Sequence, residues 1–377
     1  MLWIPGPTEV RPEILAECAR PQIGHRGADM ERLIERIDPH LRLAFGLEAH
    51  SAAQVAVHSA SASGLMEASL RGVGARVLSV VNGAFSRRYL QMAESLGKDV
   101  ECLEVEWGAG VEPYALARAL ERAGPFDALT LVANETSSGV RTPLGSIAPV
   151  LAAHPDTLLL VDLVSYAAGA PVDFDRNGID FGFAGVQKAF ALPPGIAVCC
   201  VSPRYLERAR SQPRRGWYLD PLRIVEGHAA RKTPATPCTP LYHALARQLE
   251  DISAGVTLPA DERSKRGQEA WRARFAKHER MRARTVAWAR AHGLELLPAE
   301  RFASPTVSCV RAERAAGAGA IDVAAFVAGL AQRDLRISNG YGELKGKTFR
   351  IGHMGDHTEQ GLEELLSAAD DVLSRLA

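Results

Sequence analysis

Short apolar runs without polar alternation recur through residues 76–203, and a stretch of helical spacing follows most of them. The runs 77–81, 100–105 and 128–133 predict strands, and 86–96, 113–122 and 145–153 predict helices. A further apolar run over 157–161 ends in a carboxylate, Asp162, and 181–184 and 196–201 complete the strand set. Strands that read as continuous apolar runs are covered on both faces, as in parallel sheets. Their alternation with helices across short connections predicts an α/β sheet, mostly parallel, with right-handed crossovers and helices on both sides. Before it, residues 1–8 form a Pro/Gly-rich extended arm, and 12–45 has helical spacing interrupted at 21–27 and at Pro39. After it, 221–240 reads as irregular, 241–252 as a helix, and 261–292 as a long Arg/Ala-rich helix leading into a second unit. Strands near 294–297, 305–310 and 348–352, with helices over 321–332 and 359–376, make that unit a smaller α+β domain. The expected division is an arm (1–15), a large domain (16–258) and a small C-terminal domain (259–377).

Composition removes several function classes. The 377 residues carry zero formal net charge and are 47% hydrophobic. Balanced charge gives no general attraction to nucleic acid or to an anionic membrane. No apolar run approaches a membrane span, and the N-terminus lacks the basic region and apolar core of a signal peptide. Cys18, Cys102, Cys199, Cys200, Cys238 and Cys309 form no CxxC pair. That argues against zinc or a disulfide framework and for a reducing cytoplasm. The arginines of 261–292 interleave with Glu262, Glu269 and Glu279, as on a solvated helix face rather than one that binds nucleic acid. Ala315-Ala316-Gly317-Ala318-Gly319 reads as a flexible loop, with no strand–turn–helix around it to make a phosphate loop.

Candidate chemistry gathers at the carboxyl ends of the strands. Asp162 ends one buried strand, and Lys188 is the first charged group after the next. Pro193, Pro194 and Gly195 keep the turn that follows Lys188 from becoming a helix. Ligands of open α/β sheets bind at this edge. A lysine and an aspartate brought together there suit pyridoxal 5'-phosphate. The lysine forms the Schiff base, and the aspartate keeps the pyridine nitrogen protonated so that the ring acts as an electron sink. Singly, each has an ordinary alternative, a solvated lysine and a helix N-cap. Ser59-Ala60-Ser61-Ala62-Ser63-Gly64 opens a helix whose free N–H groups suit a phosphate. Phe85, on the turn after 77–81, either offers a ring face for stacking or is a core residue. Asn134-Glu135-Thr136-Ser137-Ser138-Gly139 either supplies hydroxyls to the ring's phenolic oxygen or is a polar turn. Arg350, alone in an apolar strand, needs an anion, either a substrate α-carboxylate or an internal one. Thr233 and Thr236, held among prolines, are phosphate donors or turn residues.

Together these stretches resemble a known family. Gly6-Pro7-Thr8, His25-Arg26, the Ser-rich loop, Asn82-Gly83-Ala84-Phe85, Glu135-Thr136-Ser137-Ser138-Gly139, Val161-Asp162, Gln187-Lys188-Ala189, Pro193-Pro194-Gly195 and Arg350-Ile351-Gly352-His353-Met354-Gly355 are similar to motifs of the class V aminotransferases. These are fold-type I pyridoxal phosphate enzymes. The resemblance runs from end to end and is closest to the alanine–glyoxylate and serine–pyruvate aminotransferase branch, with phosphoserine aminotransferase nearby. It implies a fold-type I transferase whose mostly parallel, seven-stranded-type sheet lies between helices. It also implies that Lys188 carries the Schiff base and shuttles the substrate proton, that Asp162 pairs with the pyridinium and that Phe85 stacks on the ring. Ser61, Ala62, Ser63 and Gln187 would contact the phosphate, Val164 the cofactor, and Ser137 the ring oxygen. Arg350, with Gly6, would take the substrate carboxylate. The family is a homodimer with shared sites, so Thr233 or Thr236 would reach the partner's phosphate.

The resemblance implies transfer of the amino group of a small amino acid, alanine or serine, to a 2-oxo acid, glyoxylate or pyruvate, in a ping-pong cycle. The double Thr-Pro departs from the alanine–glyoxylate pattern towards the phosphoserine branch, where a pair such as His25-Arg26 holds the substrate phosphate. Phosphoserine aminotransferase is therefore the alternative. A cysteine desulfurase needs a nucleophilic cysteine on a mobile loop, whereas Cys309 falls in an expected strand. Joint retention of Lys188, Asp162 and Arg350 argues against a scaffold that has lost catalysis.

Overall fold

The computed structural model describes residues 1–315 and 319–376, so residues 316–318 of the expected loop lie outside the described part. The strands of the large unit are β1 (Gln54–His58), β2 (Arg76–Val81), β3 (Asp99–Glu104), β4 (Ala128–Val132), the hairpin β5 (Asn134–Glu135) and β6 (Val140–Arg141), β7 (Leu158–Asp162), β8 (Phe181–Gly185) and β9 (Ala197–Val201). Seven of them form one sheet in the order β1-β9-β8-β7-β4-β2-β3. β8, β7, β4, β2 and β3 run parallel, and β9 is antiparallel to both of its neighbours. β1 is missing from the strands expected from the sequence. Its apolar centre is only Val55, Ala56 and Val57, too short a run to stand out beside the polar residues around it.

The helices are α1 (Pro12–Cys18), α2 (Ala28–Ala44), α3 (Ala62–Arg71), α4 (Ala84–Ser95), α5 (Pro113–Ala123), α6 (Leu144–Ala152), α7 (Pro203–Ser211), α8 (Pro221–Ala229), α9 (Thr239–Ser253) and α10 (Gly267–Ala291). Alternation along β7 sends Leu159 and Val161 into a core with α2, α5, α6 and α9. Leu158 and Leu160 join Phe181 and Phe183 in a second core under α3, α4, α7 and α8. Asp162 continues the second set, which turns its carboxylate towards α3 and α4.

Three expectations need correction. Pro39 does not interrupt α2, because Met30, Leu33, Ile34, Ile37 and Leu41 form a buried stripe on both sides of it that holds the helix through the missing N–H. Residues 221–229 are helical rather than irregular. Pro221 sits in the first turn, where its missing N–H costs nothing, and the Asp220 carboxylate caps Leu222 N–H. The long helix begins at Gly267 rather than at 261, since Ala260–Glu262 is a separate turn and Gly267 has a φ of 51°.

The small unit is an antiparallel sheet of β10 (Leu294–Leu296), β11 (Val307–Arg314), β12 (Ser338–Asn339) and β13 (Thr348–Gly352), with helices α11 (Val323–Ala331) and α12 (Glu359–Leu376). The N-terminal arm ties it to the lysine turn. Trp3 is fully buried in the small unit's core and stacks on His357 at 3.9 Å. Gly352 N–H donates to Trp3 O, and Thr8 N–H donates to Gln187 O (3.0 Å). No helix among the described residues is long and apolar enough to cross a membrane.

A buried charge pair fixes the two units. Arg274, on α10 and fully buried, donates to Asp356 (2.8 Å) and to the carbonyls of Ala168 (3.1 Å) and Ala189 (2.7 Å). Arg11 and Gln248 also donate to Asp356. Burial alone would raise the Asp356 carboxyl, but Arg274, Lys277 and Arg11 outweigh it and hold the group at about 2. Its contribution to stability is therefore complete above about pH 4. It is lost as the pH falls towards about 2. Asp356→Ala leaves Arg274 charged and unpaired, and should cost roughly 3–5 kcal/mol in denaturant unfolding at neutral pH. A loss below about 1 kcal/mol, the range of an exposed pair, would show that the pair does not hold the units together.

Candidate active site

At the carboxyl edge of the sheet lies a cavity of about 240 Å³ lined by Ser61, Ala62, Ser63, Met66, Phe85, Arg88, Asn134, Thr136, Asp162, Val164, Gln187 and Lys188, among others. Parallel pairing of β7 with β8 sets Asp162 beside Phe183, so the turn after β8 returns Lys188 to the same edge. That turn is closed by Ala191 N–H donating to Lys188 O (2.8 Å) and Leu192 N–H donating to Val186 O (3.1 Å).

Lys188 projects its ammonium onto the Pro5 carbonyl of the arm. Gly6 has a φ of 117°, and a Cβ there would stand 2.4 Å from Lys188 Cδ, so only glycine fits. Burial pushes the ammonium down to about 8, Arg350 and Arg88 push the same way, and Asp162 resists. Asp162 is 5% exposed and its Oδ1 accepts Val164 N–H at 2.8 Å. Burial lifts its carboxyl to about 7. The Val164 N–H, Lys188 and Arg88 pull it back, and Glu135 adds to the rise.

Ser61 is the N-cap of α3 and uses its side chain for no cap bond, so the helix opens on the cavity with the first-turn N–H groups at Ala62 and Ser63. Phe85 is half-buried and lines the cavity, with the Arg88 guanidinium 5.1 Å from its ring centre. Glu135 fixes it there. One carboxylate oxygen of this fully buried residue accepts the N–H groups of Phe85 (3.0 Å) and Ser86 (2.9 Å), capping α4 from another element. The other accepts the Ser137 hydroxyl (2.6 Å).

Ser137, expected at the ring oxygen, is not among the residues that line the cavity. Its hydroxyl is spent between Glu135 and Ala84 N–H (3.0 Å), away from the cavity, and the neighbouring Thr136 and Asn134 line it instead. Asn134 donates to the Ser165 and Thr306 hydroxyls, while its Oδ1 is buried without a partner. The signal for Thr136 was present in the same polar stretch, but alternation from Asn134 decides which residues line the cavity.

Arg350 lies at the small-unit side, 8% exposed. It donates to Asn339 O (3.0 Å) and, through Nη1, to the carbonyl of Thr136 (3.1 Å). Among the described residues no carboxylate lies within 4.0 Å of it, so the internal ion pair is excluded. Burial draws the guanidinium down from its ordinary value. Thr233, Thr236, His25 and Arg26 do not line this cavity. Thr236 and Arg26 are exposed, and the hydroxyl of half-buried Thr233 has no partner. Cys309 is 1% exposed inside β11, opposite Arg350, and burial pushes its thiol up to about 11, which removes it as a mobile nucleophile.

The donor set fits pyridoxal phosphate: an amine of lowered charge, a carboxylate at the sheet edge, an aromatic face and a helix N-terminus. Comparison with known proteins agrees. The sequence model of the family "Aminotransferase class-V" matches residues 62–290. An uncharacterized aminotransferase of Methanocaldococcus jannaschii is 32% identical over all of this chain and 93% of its own length. The L-aspartate–glyoxylate aminotransferase of Paracoccus denitrificans is 29% identical, covering all of this chain and 91% of that protein. The crystal structure of an alanine–glyoxylate aminotransferase from Nostoc sp. superposes with a TM-score of 0.86 at 27% identity, covering 98% of this chain and 94% of that one. The chain belongs to the class V aminotransferases and is a pyridoxal-phosphate-dependent transaminase.

Proposed function

We propose that the chain moves the amino group of a small unphosphorylated amino acid, alanine or serine, to a 2-oxo acid, glyoxylate or pyruvate. The observation that carries this reading is Arg350, a buried guanidinium with no carboxylate partner among the described residues. It does not itself line the cavity, but it donates to the carbonyl of cavity-lining Thr136 and lies close enough to Lys188 to lower its pKa. Its planar fork takes the α-carboxylate that amino acid and oxo acid share, so one site serves both halves of a ping-pong cycle. Two of the three relatives named above carry glyoxylate in their names, paired with aspartate in the Paracoccus protein and with alanine in the Nostoc one. His25 and Arg26 stand outside the cavity, which favours an unphosphorylated substrate over phosphoserine.

Bound pyridoxal phosphate supplies the electron sink and carries the amino group between the two half-reactions. Lys188 holds the cofactor covalently and, once released, takes the proton from the substrate α-carbon; its lowered pKa keeps a free amine available near neutral pH. Asp162 would hold the pyridine nitrogen protonated, and Phe85 and Val164, which line the same cavity, would flank the ring. The N–H groups of Ala62 and Ser63, the hydroxyls of Ser61 and Ser63, and Gln187 take the phosphate. Thr136 would stand nearer the ring oxygen than Ser137, and Gly6 would bound the substrate on the arm side, against Lys188.

The same reading includes a homodimer. Residues 217–238 pack on the Ser-rich loop, with the Tyr218 hydroxyl on Ser59 O and Cys238 N–H on Ser59 Oγ. They nevertheless leave Trp217 (53%), Tyr218 (43%) and Thr236 facing outwards. That surface suits a second copy, whose phosphate Thr233 or Thr236 would reach. All six cysteines are free, which suits a cytoplasmic location.

Alanine or serine should bleach the yellow absorption of the loaded enzyme, and phosphoserine or aspartate should do so poorly. Bleaching by phosphoserine alone would reassign His25 and Arg26 to a substrate phosphate. Lys188→Ala should abolish turnover, and borohydride should fix the cofactor to Lys188, as read by peptide mass spectrometry. Arg350→Ala should raise KM for amino acids by about 30-fold or more, the effect of removing roughly 2 kcal/mol or more of a buried charge-assisted pair. An unchanged KM would place the carboxylate elsewhere. In the cofactor-free protein, labelling of Lys188 by an amine reagent should rise through about pH 8. An ordinary lysine does so near about 10.4. Asp162→Asn removes the charge that resists the shift, so the midpoint should fall further; an upward move would contradict the assigned pairing.

A further inference from the structure

Tyr341 has no part in the roles assigned so far. It stands on the loop between β12 and β13, with its ring 6.0 Å from the Phe85 ring and 5.5 Å from the Arg350 guanidinium. The loop is fixed around it. Gly340 N–H donates to Thr348 O (2.7 Å), Leu344 N–H to Tyr341 O (3.0 Å) and Gly346 N–H to the Asn339 side chain (2.8 Å). Gly342 has a φ of 54°, which suits glycine, and lies in ordinary van der Waals range of the Trp107 ring. The Tyr341 ring itself remains 38% exposed. A rigidly mounted, solvent-facing aromatic thus spans from Phe85 in the large unit to Arg350 in the small one.

We propose that Tyr341 is a specificity-determining residue, the wall met by the substrate side chain, and that it restricts the site to amino acids and 2-oxo acids with short, unbranched side chains. The inference rests on the roles given above to Lys188 and Arg350. At the substrate α-carbon the carboxylate is committed to Arg350, the hydrogen to Lys188 and the amino group to the cofactor. The Lys188 side is closed by the arm, because Gly6 has no room even for a Cβ. The remaining substituent is left the gap between Phe85 and Arg350, and Tyr341 bridges that gap.

The test is kcat/KM of the loaded enzyme for alanine, serine, 2-aminobutyrate, norvaline and leucine at a fixed acceptor concentration. Wild type should lose about tenfold per added methylene, the usual scale for a hydrophobic wall. Tyr341→Phe, which keeps the ring, should retain the order of preference. Tyr341→Ala should raise norvaline relative to alanine by about tenfold or more, through KM of the longer substrate rather than kcat. An unchanged norvaline-to-alanine ratio in active Tyr341→Ala overturns the proposal, as does a Tyr341→Phe variant that behaves like it. A wild type that accepts none of these amino acids overturns the substrate reading of Arg350 and this inference with it, a result distinct from an unchanged ratio in a working enzyme.

Discussion

The Arg274–Asp356 pair is the constraint on which the rest of the site depends. Two charges removed from water are tolerated only when every remaining donor and acceptor is used. Arg274 meets that demand by reaching Ala168 O, Ala189 O, the Thr257 hydroxyl and Asp356 with one planar group. Ala189 follows Lys188 directly, and Asp356 lies shortly after β13, which carries Arg350. The position of the Lys188 amine relative to Arg350 is therefore referred to a single rigid fork. The arm repeats the link by a second route, from Trp3 in the small core to Pro5 and Gly6 against Lys188.

Around the cavity the acids are divided by how fully they are used. Glu135 spends its charge on N–H and hydroxyl donors at the start of α4 and Ser137, so it serves as a structural anion that sets Phe85. Asp162 accepts only the Val164 N–H and keeps its other oxygen free. Against these stand Lys188, Arg88 and Arg350, and each positive charge disfavours another in a poorly solvated space. An empty cavity of this composition is short of negative charge, and a phosphorylated cofactor with a carboxylate substrate supplies it.

The residues legible in the sequence were those whose type conflicts with their surroundings. Asp162 ends five buried positions, Lys188 follows an apolar strand, and Arg350 sits among Phe349 and Ile351; each is costly to bury and so marks a use. The parallel sheet was legible for the matching reason, since Leu158–Asp162 and Ala128–Val132 have no polar face to show water. What failed depended on geometry that composition does not encode. Ser137 and Thr136 are chemically alike, and alternation from Asn134 chooses between them. Pro39 and Pro221 look alike in the sequence, yet one lies inside a well-packed helix that bears its cost and the other at a helix start where its missing N–H costs nothing. Tyr341 drew no reading from the sequence, because its distance to Phe85 exists only after both units fold.

The phosphate end of the cavity shows why a single chain leaves part of the chemistry unexplained. A phosphate dianion at α3 meets first-turn N–H groups and serine hydroxyls, but a helix terminus presents only about half a positive charge. Within the chain the threonines best placed by sequence to add donors turn away. Thr236 faces solvent, and Thr233 keeps a hydroxyl with no partner although its loop is tied to Ser59 through Cys238. An unpaired buried hydroxyl is costly where it stands, and Trp217 and Tyr218, the latter tied to Ser59 as Cys238 is, are costly to leave in water. A second copy seated on that face would relieve both costs and bring its own threonines to the first copy's phosphate. Assembly and cofactor retention would then be one equilibrium, each strengthening the other by the same factor.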